Sequence, residues 1–117
     1  MNQLIPRNIS AKELDEWIKQ EIRAPLLVDV RESQELELVA FPCPVVHLPL
    51  SKISDWQEDL QELIPLDREV VVVCHSGIRS FNFGSWLLEK KLGYKIWNLQ
   101  GGIDAWSVEI DSTVPRY

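Results

Sequence analysis

The sequence predicts an α/β domain with a central, mostly parallel sheet covered by helices on both faces. Short apolar runs alternate with amphipathic helical segments along the chain. The runs are continuously apolar, as expected for strands buried on both faces. The segments between them are too long for hairpins, which favours parallel strands joined by crossovers.

The first predicted element is a helix. Ser10 stands three residues before Glu13, which is the spacing of a capping box, and apolar residues then recur on one helical face. Residues 26–30, LLVDV, follow Pro25 and leave no room for a helix, so they predict a buried strand.

The middle of the chain predicts two more strands around a helix. The charged segment 31–40 can start a helix, although its detail stays open. Residues 45–50, VVHLPL, form a second apolar run, and residues 50–64 have helical spacing that ends before a proline. Residues 69–74, EVVVVC, are the strongest strand pattern in the chain.

The last part predicts a helix, a strand and a short helix. Residues 80–93 have helical spacing, and Gly93 is a natural C-cap. Residues 94–100 are strand-like, Gly101-Gly102 predicts a turn, and residues 103–109 predict the final helix.

Composition narrows the functional class. The chain has 117 residues, 45% of them hydrophobic, so we expect one domain over residues 1–117. The net charge of -6, without a basic block, argues against nucleic acid. No apolar run approaches the roughly 20 residues that span a bilayer. The first 17 residues show no signal-peptide pattern, so we expect a cytoplasmic protein.

The cysteine count argues against a disulfide framework and against zinc. The chain has two cysteines, Cys43 and Cys74, with two histidines and no CxxC spacing. We therefore expect a reducing compartment, no metal and no organic cofactor.

The segment VVVVCHSGIRS, residues 70–80, carries the strongest functional signal. Cys74 ends the most apolar strand, and in open parallel sheets sites form outside the carboxyl ends of strands. Gly77 lets the chain bend so that backbone N–H groups point inward, at the start of a helix that favours an anion. Arg79 adds a guanidinium. A lone cysteine there is most often an inert small hydrophobe, but a structural cysteine needs neither the glycine turn nor the arginine.

Four segments together resemble the single-domain rhodanese family of sulfurtransferases. LLVDVRE (26–32) resembles the family's first-strand signature, and HLPL (47–50) its Asn-Ile-Pro-Leu. The segment 70–80 resembles its Cys-x-x-Gly-x-Arg-Ser loop. LGYKIWNLQGGIDAW (92–106) resembles its C-terminal Gly-Gly-x-x-x-Trp ending.

This resemblance implies a five-stranded parallel sheet and a Cys74 that accepts a sulfane sulfur as a persulfide. The sulfur would come from a small donor such as thiosulfate or from a sulfur-relay protein, and would pass to a thiophilic acceptor. The C-terminal part is similar to rhodanese domains fused to ubiquitin-like-activating enzymes. The candidate substrate-binding residues are those of the loop: His75, Ser76, Gly77, Ile78, Arg79 and Ser80.

Other residues have a structural and a functional interpretation. The segment AFPCPVV (40–46) departs from the family's Gly-His-Ile-Pro-Gly-Ala, which leaves its loop shape open. Cys43, within it, is either a resolving thiol or a chance small residue, and we favour the second. Asp29 either orients the loop or pairs with Arg31, and we favour the ion pair. His47, beside a proline, is expected to be structural.

Three functional classes follow from the cysteine loop. The first is sulfur transfer, a thiosulfate:cyanide-type activity, which we favour. The second is a phosphatase or arsenate reductase, but phosphatase loops place the arginine six residues after the cysteine, and here Arg79 is five after Cys74. The third is a non-catalytic binding module, and such domains typically lose the cysteine that this chain keeps.

Overall fold

Five parallel strands form one sheet in the computed structural model, which describes residues 5–117. The order across the sheet is β1-β5-β4-β2-β3, and every neighbouring pair is parallel. The strands are β1 Arg7–Ile9, β2 Leu26–Asp29, β3 Val46–His47, β4 Glu69–Val73 and β5 Lys95–Leu99. The predicted α/β fold with a five-stranded parallel sheet is confirmed.

Helical segments lie between the strands and after the last one. They are α1 Ala11–Ile18, α2 Ser33–Leu38, α3 Ile53–Trp56, α4 Leu60–Leu63, α5 Ile78–Glu89 and α6 Gly102–Glu109. The 3₁₀ turns are Glu21–Arg23, Leu50–Lys52 and Gln57–Asp59. Within residues 5–117, no helix has the length and apolar character that crossing a membrane requires.

Strand β4 lies at the centre of the sheet because both of its faces are apolar. Val70 to Val73 are fully buried, and β4 pairs with β2 on one edge and β5 on the other. Since successive side chains point to opposite faces, Val70 and Val72 join one core while Val71 and Val73 join the other.

Helices cover both faces of the sheet, as the sequence predicts. On one face, Trp56, Leu60 and Phe83 bring α3, α4 and α5 against the sheet. On the other, Leu14 and Trp106 bring α1 and α6 against it. Each layer buries an apolar stripe that the isolated helix could not hide, and this burial is the main stabilising contribution.

The Ser10 capping box is confirmed, since the Ser10 hydroxyl accepts from the Glu13 N–H and the Glu13 carboxylate accepts from the Ser10 N–H, both at 3.1 Å. Strand β1, immediately before this cap, was missed. It has only three residues, and its identity as a strand depends on pairing with β5, which is distant in sequence. Residues 1–4, part of the stretch in which we expect no signal peptide, lie outside the described residues.

Two helix predictions need correction. The helix predicted over 50–64 consists of short α and 3₁₀ segments, although its helical part does end at Leu63, before the proline. Gly93 is not a C-cap: α5 ends at Glu89 with Lys90 as its cap. Gly93 instead takes a left-handed conformation in the turn toward β5, with φ of +95°. The open segment 31–40 contains α2.

Candidate functional site

The carboxyl ends of β2, β4 and β5 lie side by side at one edge of the sheet. Cys74 directly follows β4, Arg31 follows β2, and Asn98 is the second-to-last residue of β5. This is the edge at which ligand sites of open parallel sheets form. The residues that the sequence singled out around Cys74 therefore share one end of the molecule with polar groups from two neighbouring strands.

The sulfur of Cys74 is enclosed by donors. The side chain is 1% exposed. Its Sγ accepts a hydrogen bond from the Gly77 N–H at 3.1 Å and lies 3.2 Å from the Ser80 hydroxyl. Gly77 can present its N–H because it adopts a left-handed conformation, with φ of +97°. Such an arrangement suits a negatively charged sulfur.

A buried polar relay continues from Ser80 to Asn98. The Ser80 hydroxyl lies 2.5 Å from the Asn98 carboxamide oxygen, as well as next to Cys74 Sγ. Because a serine hydroxyl carries one proton, it donates to only one of these acceptors at a time. The Asn98 amide group donates to the Gly77 carbonyl at 3.1 Å, which fixes the turn of the cysteine loop, residues 74–80.

Helix α6 holds the cysteine loop from outside. The N–H groups of Ile103 and Asp104 donate to the carbonyls of Cys74 and His75, at 2.9 and 3.1 Å. The contact is close: a Cβ on Gly102 would lie 2.3–2.4 Å from the oxygens of these two carbonyls. The Gly-Gly sequence thus permits the helix start to dock on the backbone of the loop.

Asp29 and Arg31 form a fully buried ion pair behind the site. The Arg31 guanidinium donates to both Asp29 carboxylate oxygens, with the shortest distance 2.8 Å, and to the Val39 carbonyl at 2.9 Å. The expected ion pair is confirmed. His47 lies 2.6 Å from the Arg31 carbonyl, which agrees with the structural role expected for it.

Arg79 is held by Glu35 of helix α2. Its two terminal nitrogens donate to the two carboxylate oxygens at 2.6 and 2.8 Å, in a bidentate fork. These hydrogen bonds lower the pKa of the Glu35 carboxyl to about 2 and raise the pKa of Arg79. Arg79 remains partly exposed and lies in the first turn of α5, five residues after Cys74.

Tyr117 covers the same side of the loop. Its ring stacks on His75 with centroids 4.0 Å apart and an interplanar angle of 11°. Its hydroxyl accepts from Arg31 at 3.1 Å and donates to Glu35 at 2.8 Å. Tyr117 therefore links the buried ion pair of β2 to the Glu35–Arg79 pair at the mouth of the site.

The remaining loop residues face solvent. Ser76 is exposed, and Ile78 is exposed and apolar, 68% accessible. Both line a groove of about 290 Å³ that also involves Asn82 and Gln100. The seven predicted site residues thus run from the end of β4 into the first turn of α5, with Ser76 and Ile78 at the outer surface.

Cys43 lies apart from the sulfur of Cys74 in the packing. Cys74 belongs to one core cluster, whereas Cys43 packs against the cluster on the opposite face of the sheet. Both are free thiols, and burial raises the pKa of Cys43, which disfavours its thiolate. This arrangement supports the interpretation of Cys43 as a small packing residue.

Sequence reasoning missed several residues whose side chains contact the loop or its arginine. Among them are Glu35, Asn98 and Tyr117. Asn98 carried a signal, since it is a polar residue in an otherwise apolar strand pattern. Glu35 and Tyr117 carried none, because their contacts with Arg79 and His75 join positions more than 40 residues apart in the chain.

The fold and the loop define a class: α/β domains in which a cysteine at the end of the central parallel strand begins a loop that leads into a helix. The family model of the Rhodanese-like domain matches residues 10–109. The chain belongs to this rhodanese family.

Several relatives are named for sulfur transfer. The chain is 35% identical over 103 residues to the putative sulfurtransferase YtwF of Bacillus subtilis, covering 88% of this chain and 92% of that protein. It is 37% identical over 82 residues to a sulfurtransferase of Allochromatium vinosum, covering 70% of this chain and 71% of that one.

Other relatives are much longer than this chain. The rhodanese-like/PpiC domain-containing protein 12 of Arabidopsis thaliana, a chloroplastic protein, is 34% identical over 78% of this chain, which spans 30% of that protein. The adenylyltransferase and sulfurtransferase UBA4 of Saccharomyces cerevisiae is 29% identical over 88% of this chain, which spans 24% of it.

Solved structures share the fold. The reduced CoADR-RHD protein of Bacillus anthracis superimposes with a TM-score of 0.74 at 25% identity, over 93% of this chain and 18% of that one. A rhodanese-like domain protein from Staphylococcus aureus superimposes with a TM-score of 0.70 at 23% identity, over 95% and 98% of the two chains.

Proposed function

We propose that the chain is a sulfurtransferase that carries a sulfane sulfur on Cys74. One observation carries the proposal: the Cys74 sulfur lies at the end of the central strand and accepts from the Gly77 N–H beside the Ser80 hydroxyl. These donors stabilise a sulfur anion, either the thiolate that attacks or the persulfide that results. The names of the relatives support the same class of reaction.

The proposed reaction has two balanced steps. The Cys74 thiolate attacks the outer sulfur of thiosulfate, a new S–S bond forms, the old S–S bond breaks, and sulfite leaves with the electron pair of that bond. Cyanide or another thiophile then attacks the terminal sulfur of the persulfide, so that thiocyanate forms and the thiolate returns. The loop residues, with Arg79 at the rim, bind the anionic donor in this proposal.

A relay between proteins is a second route by which sulfur could reach Cys74, and the name of one relative favours it. The name of UBA4 joins adenylyl transfer and sulfur transfer in one longer protein, and this chain matches part of its length. In such a relay, a persulfide on a partner protein replaces thiosulfate as the donor. An acceptor thiolate then attacks the terminal sulfur of the Cys74 persulfide, so that the sulfur passes to the acceptor and the Cys74 thiolate returns. The exposed Ser76 and Ile78 at the outer surface of the loop are accessible to a partner of this kind.

Thiocyanate formation from thiosulfate and cyanide tests the proposal. We expect the wild-type chain to form thiocyanate and Cys74→Ser to reduce the rate to background, because an alcohol cannot carry the sulfane sulfur. Cys43→Ser is the matched control, since it removes the other thiol, and it should retain most of the activity.

Two results would contradict the assignment. The first is activity that survives Cys74→Ser. The second is Cys74-dependent turnover of p-nitrophenyl phosphate at a rate rivalling sulfur transfer, which would favour phosphatase chemistry despite the short spacing from Cys74 to Arg79.

A further inference from the structure

The ion pair between Glu35 and Arg79 lies at the mouth of the cysteine loop. Arg79 belongs to the loop, whereas Glu35 belongs to helix α2. Both terminal nitrogens of Arg79 donate hydrogen bonds to the Glu35 carboxylate. Glu35 is in turn fixed by the Glu32 N–H at 3.0 Å and the Tyr117 hydroxyl at 2.8 Å. A carboxylate with this many donors is a permanent anion at neutral pH.

We propose that Glu35 is a specificity-determining residue: by neutralising Arg79, it selects sulfur donors whose reacting end carries one negative charge over the compact dianion thiosulfate. This inference rests on the sulfurtransferase function proposed above. It assigns to the site a preference for persulfides and for thiosulfonates, in which one oxygen anion of thiosulfate is replaced by a carbon substituent.

The charges around the loop support this preference. Asp29 pairs with Arg31 behind the site, Glu35 pairs with Arg79 at its mouth, and Asp104 pairs with Arg116 beside His75. Each pair has zero net charge. Among the ion pairs of residues 5–117 named above, Arg79 is the cation that lies in the cysteine loop itself, so freeing it from Glu35 would add attraction for a second negative charge on the donor.

The donors inside the loop do not require a dianion. The Gly77 N–H and the Ser80 hydroxyl are neutral, and they contact the position of the sulfur itself. They serve any donor that delivers one sulfur anion to Cys74. Discrimination between donors must then come from the groups farther out, where the leaving part of the donor lies, and this is where Arg79 and Glu35 meet.

Thiosulfate and methanethiosulfonate form a matched pair of probes. Both present an outer sulfur on a sulfonyl sulfur, but the first is a dianion and the second a monoanion. In each case the Cys74 thiolate takes the outer sulfur as a persulfide, and the leaving group departs with the electron pair, as sulfite from the first and as methanesulfinate from the second. The ratio of their kcat/KM values isolates the effect of the extra charge.

Glu35→Gln tests the inference because glutamine keeps the size of the side chain and an acceptor for Arg79 but lacks the charge. We expect the ratio of kcat/KM for thiosulfate over methanethiosulfonate to rise about tenfold, which corresponds to about 1.4 kcal/mol. Glu35→Asp keeps the charge and should leave the ratio nearer to that of the wild type. Glu37→Gln, an exposed position on the same helix, is the matched control and should not change it.

An unchanged ratio in Glu35→Gln, or an equal loss with both donors, would overturn the inference, because either result makes Glu35 a purely structural residue. Salt dependence of the wild type gives a second test that needs no variant. A neutral mouth predicts that added salt does not depress kcat/KM for thiosulfate, and a steep fall would contradict it. A wild type that forms no persulfide with either probe would instead refute the proposed function itself.

Discussion

Arg79 has two roles at the site: it donates hydrogen bonds, and it balances the charge of Glu35. Two of its five N–H donors are directed at Glu35. We expect the others to contact the oxyanion of a donor at the mouth. The positive charge of Arg79 also balances the negative charge of Glu35. Removing the Arg79 side chain would therefore leave an unbalanced negative charge beside the site.

We expect Arg79→Ala to raise KM for thiosulfate about ten- to hundredfold, with a smaller effect on kcat. A charge-assisted hydrogen bond contributes about 1.5–3 kcal/mol, and the uncovered Glu35 repels the dianion in addition. The double variant Arg79→Ala/Glu35→Gln should recover part of the loss. Steady-state kinetics with both variants measure the two contributions.

Arg68→Ala is the control for this measurement, because Arg68 is exposed and donates to the Ala24 carbonyl outside the site. It should leave KM unchanged. If Arg79→Ala keeps KM within about twofold of the wild type, the backbone N–H groups of the loop bind the donor without the guanidinium.

Individual site residues differed in how far the sequence could predict them. Cys74 and Gly77 were predictable because their chemistry depends on neighbours in the same loop. The environment of Arg79 was not, because Glu35 meets it only after β2 and β4 pair and bring α2 beside the start of α5. Spacing along the chain carries no information about such a contact.

Helix α6 and the cysteine loop behave as one structural unit. Two N–H groups of the helix start hold two carbonyls of the loop, and Gly102 allows this approach with φ of +62°. The same residues form the turn that follows β5. The Gly-Gly pair, which the sequence identifies only as a turn, therefore also sets the position of Cys74.

Gly102→Ala should lower the free energy of unfolding by about 3 kcal/mol or more, and should reduce sulfur transfer in the molecules that remain folded. The new Cβ would collide with the backbone of the loop, which cannot move without displacing Cys74. Chemical denaturation and thiocyanate formation measure the two effects.

Gly93→Ala is the matched control, since Gly93 also has a positive φ but a Cβ there would meet nothing within 4 Å. It should cost only the conformational strain of about 1 kcal/mol and leave activity intact. Equal losses of stability in the two variants would mean that the close approach of α6 to the loop contributes nothing.

The whole fold was more predictable than its smallest parts. Strand β4 has four fully buried valines in sequence, and this run alone indicates a strand covered on both faces. The amphipathic faces of α1 and α5 then indicate the two covering layers. Strand β1 could not be predicted because three residues are too few to show an alternating pattern of apolar and polar side chains. They form a strand only by pairing with the edge of β5.

Persulfide formation on Cys74 is the step on which the proposed function and the role of Glu35 both depend. We expect the intact mass of the wild-type chain, after incubation with thiosulfate or methanethiosulfonate, to rise by the mass of one sulfur atom. Peptide mapping should place that sulfur on Cys74, and cyanide should remove it as thiocyanate. A mass that stays unchanged with both donors, or a sulfur found on Cys43, would contradict the account.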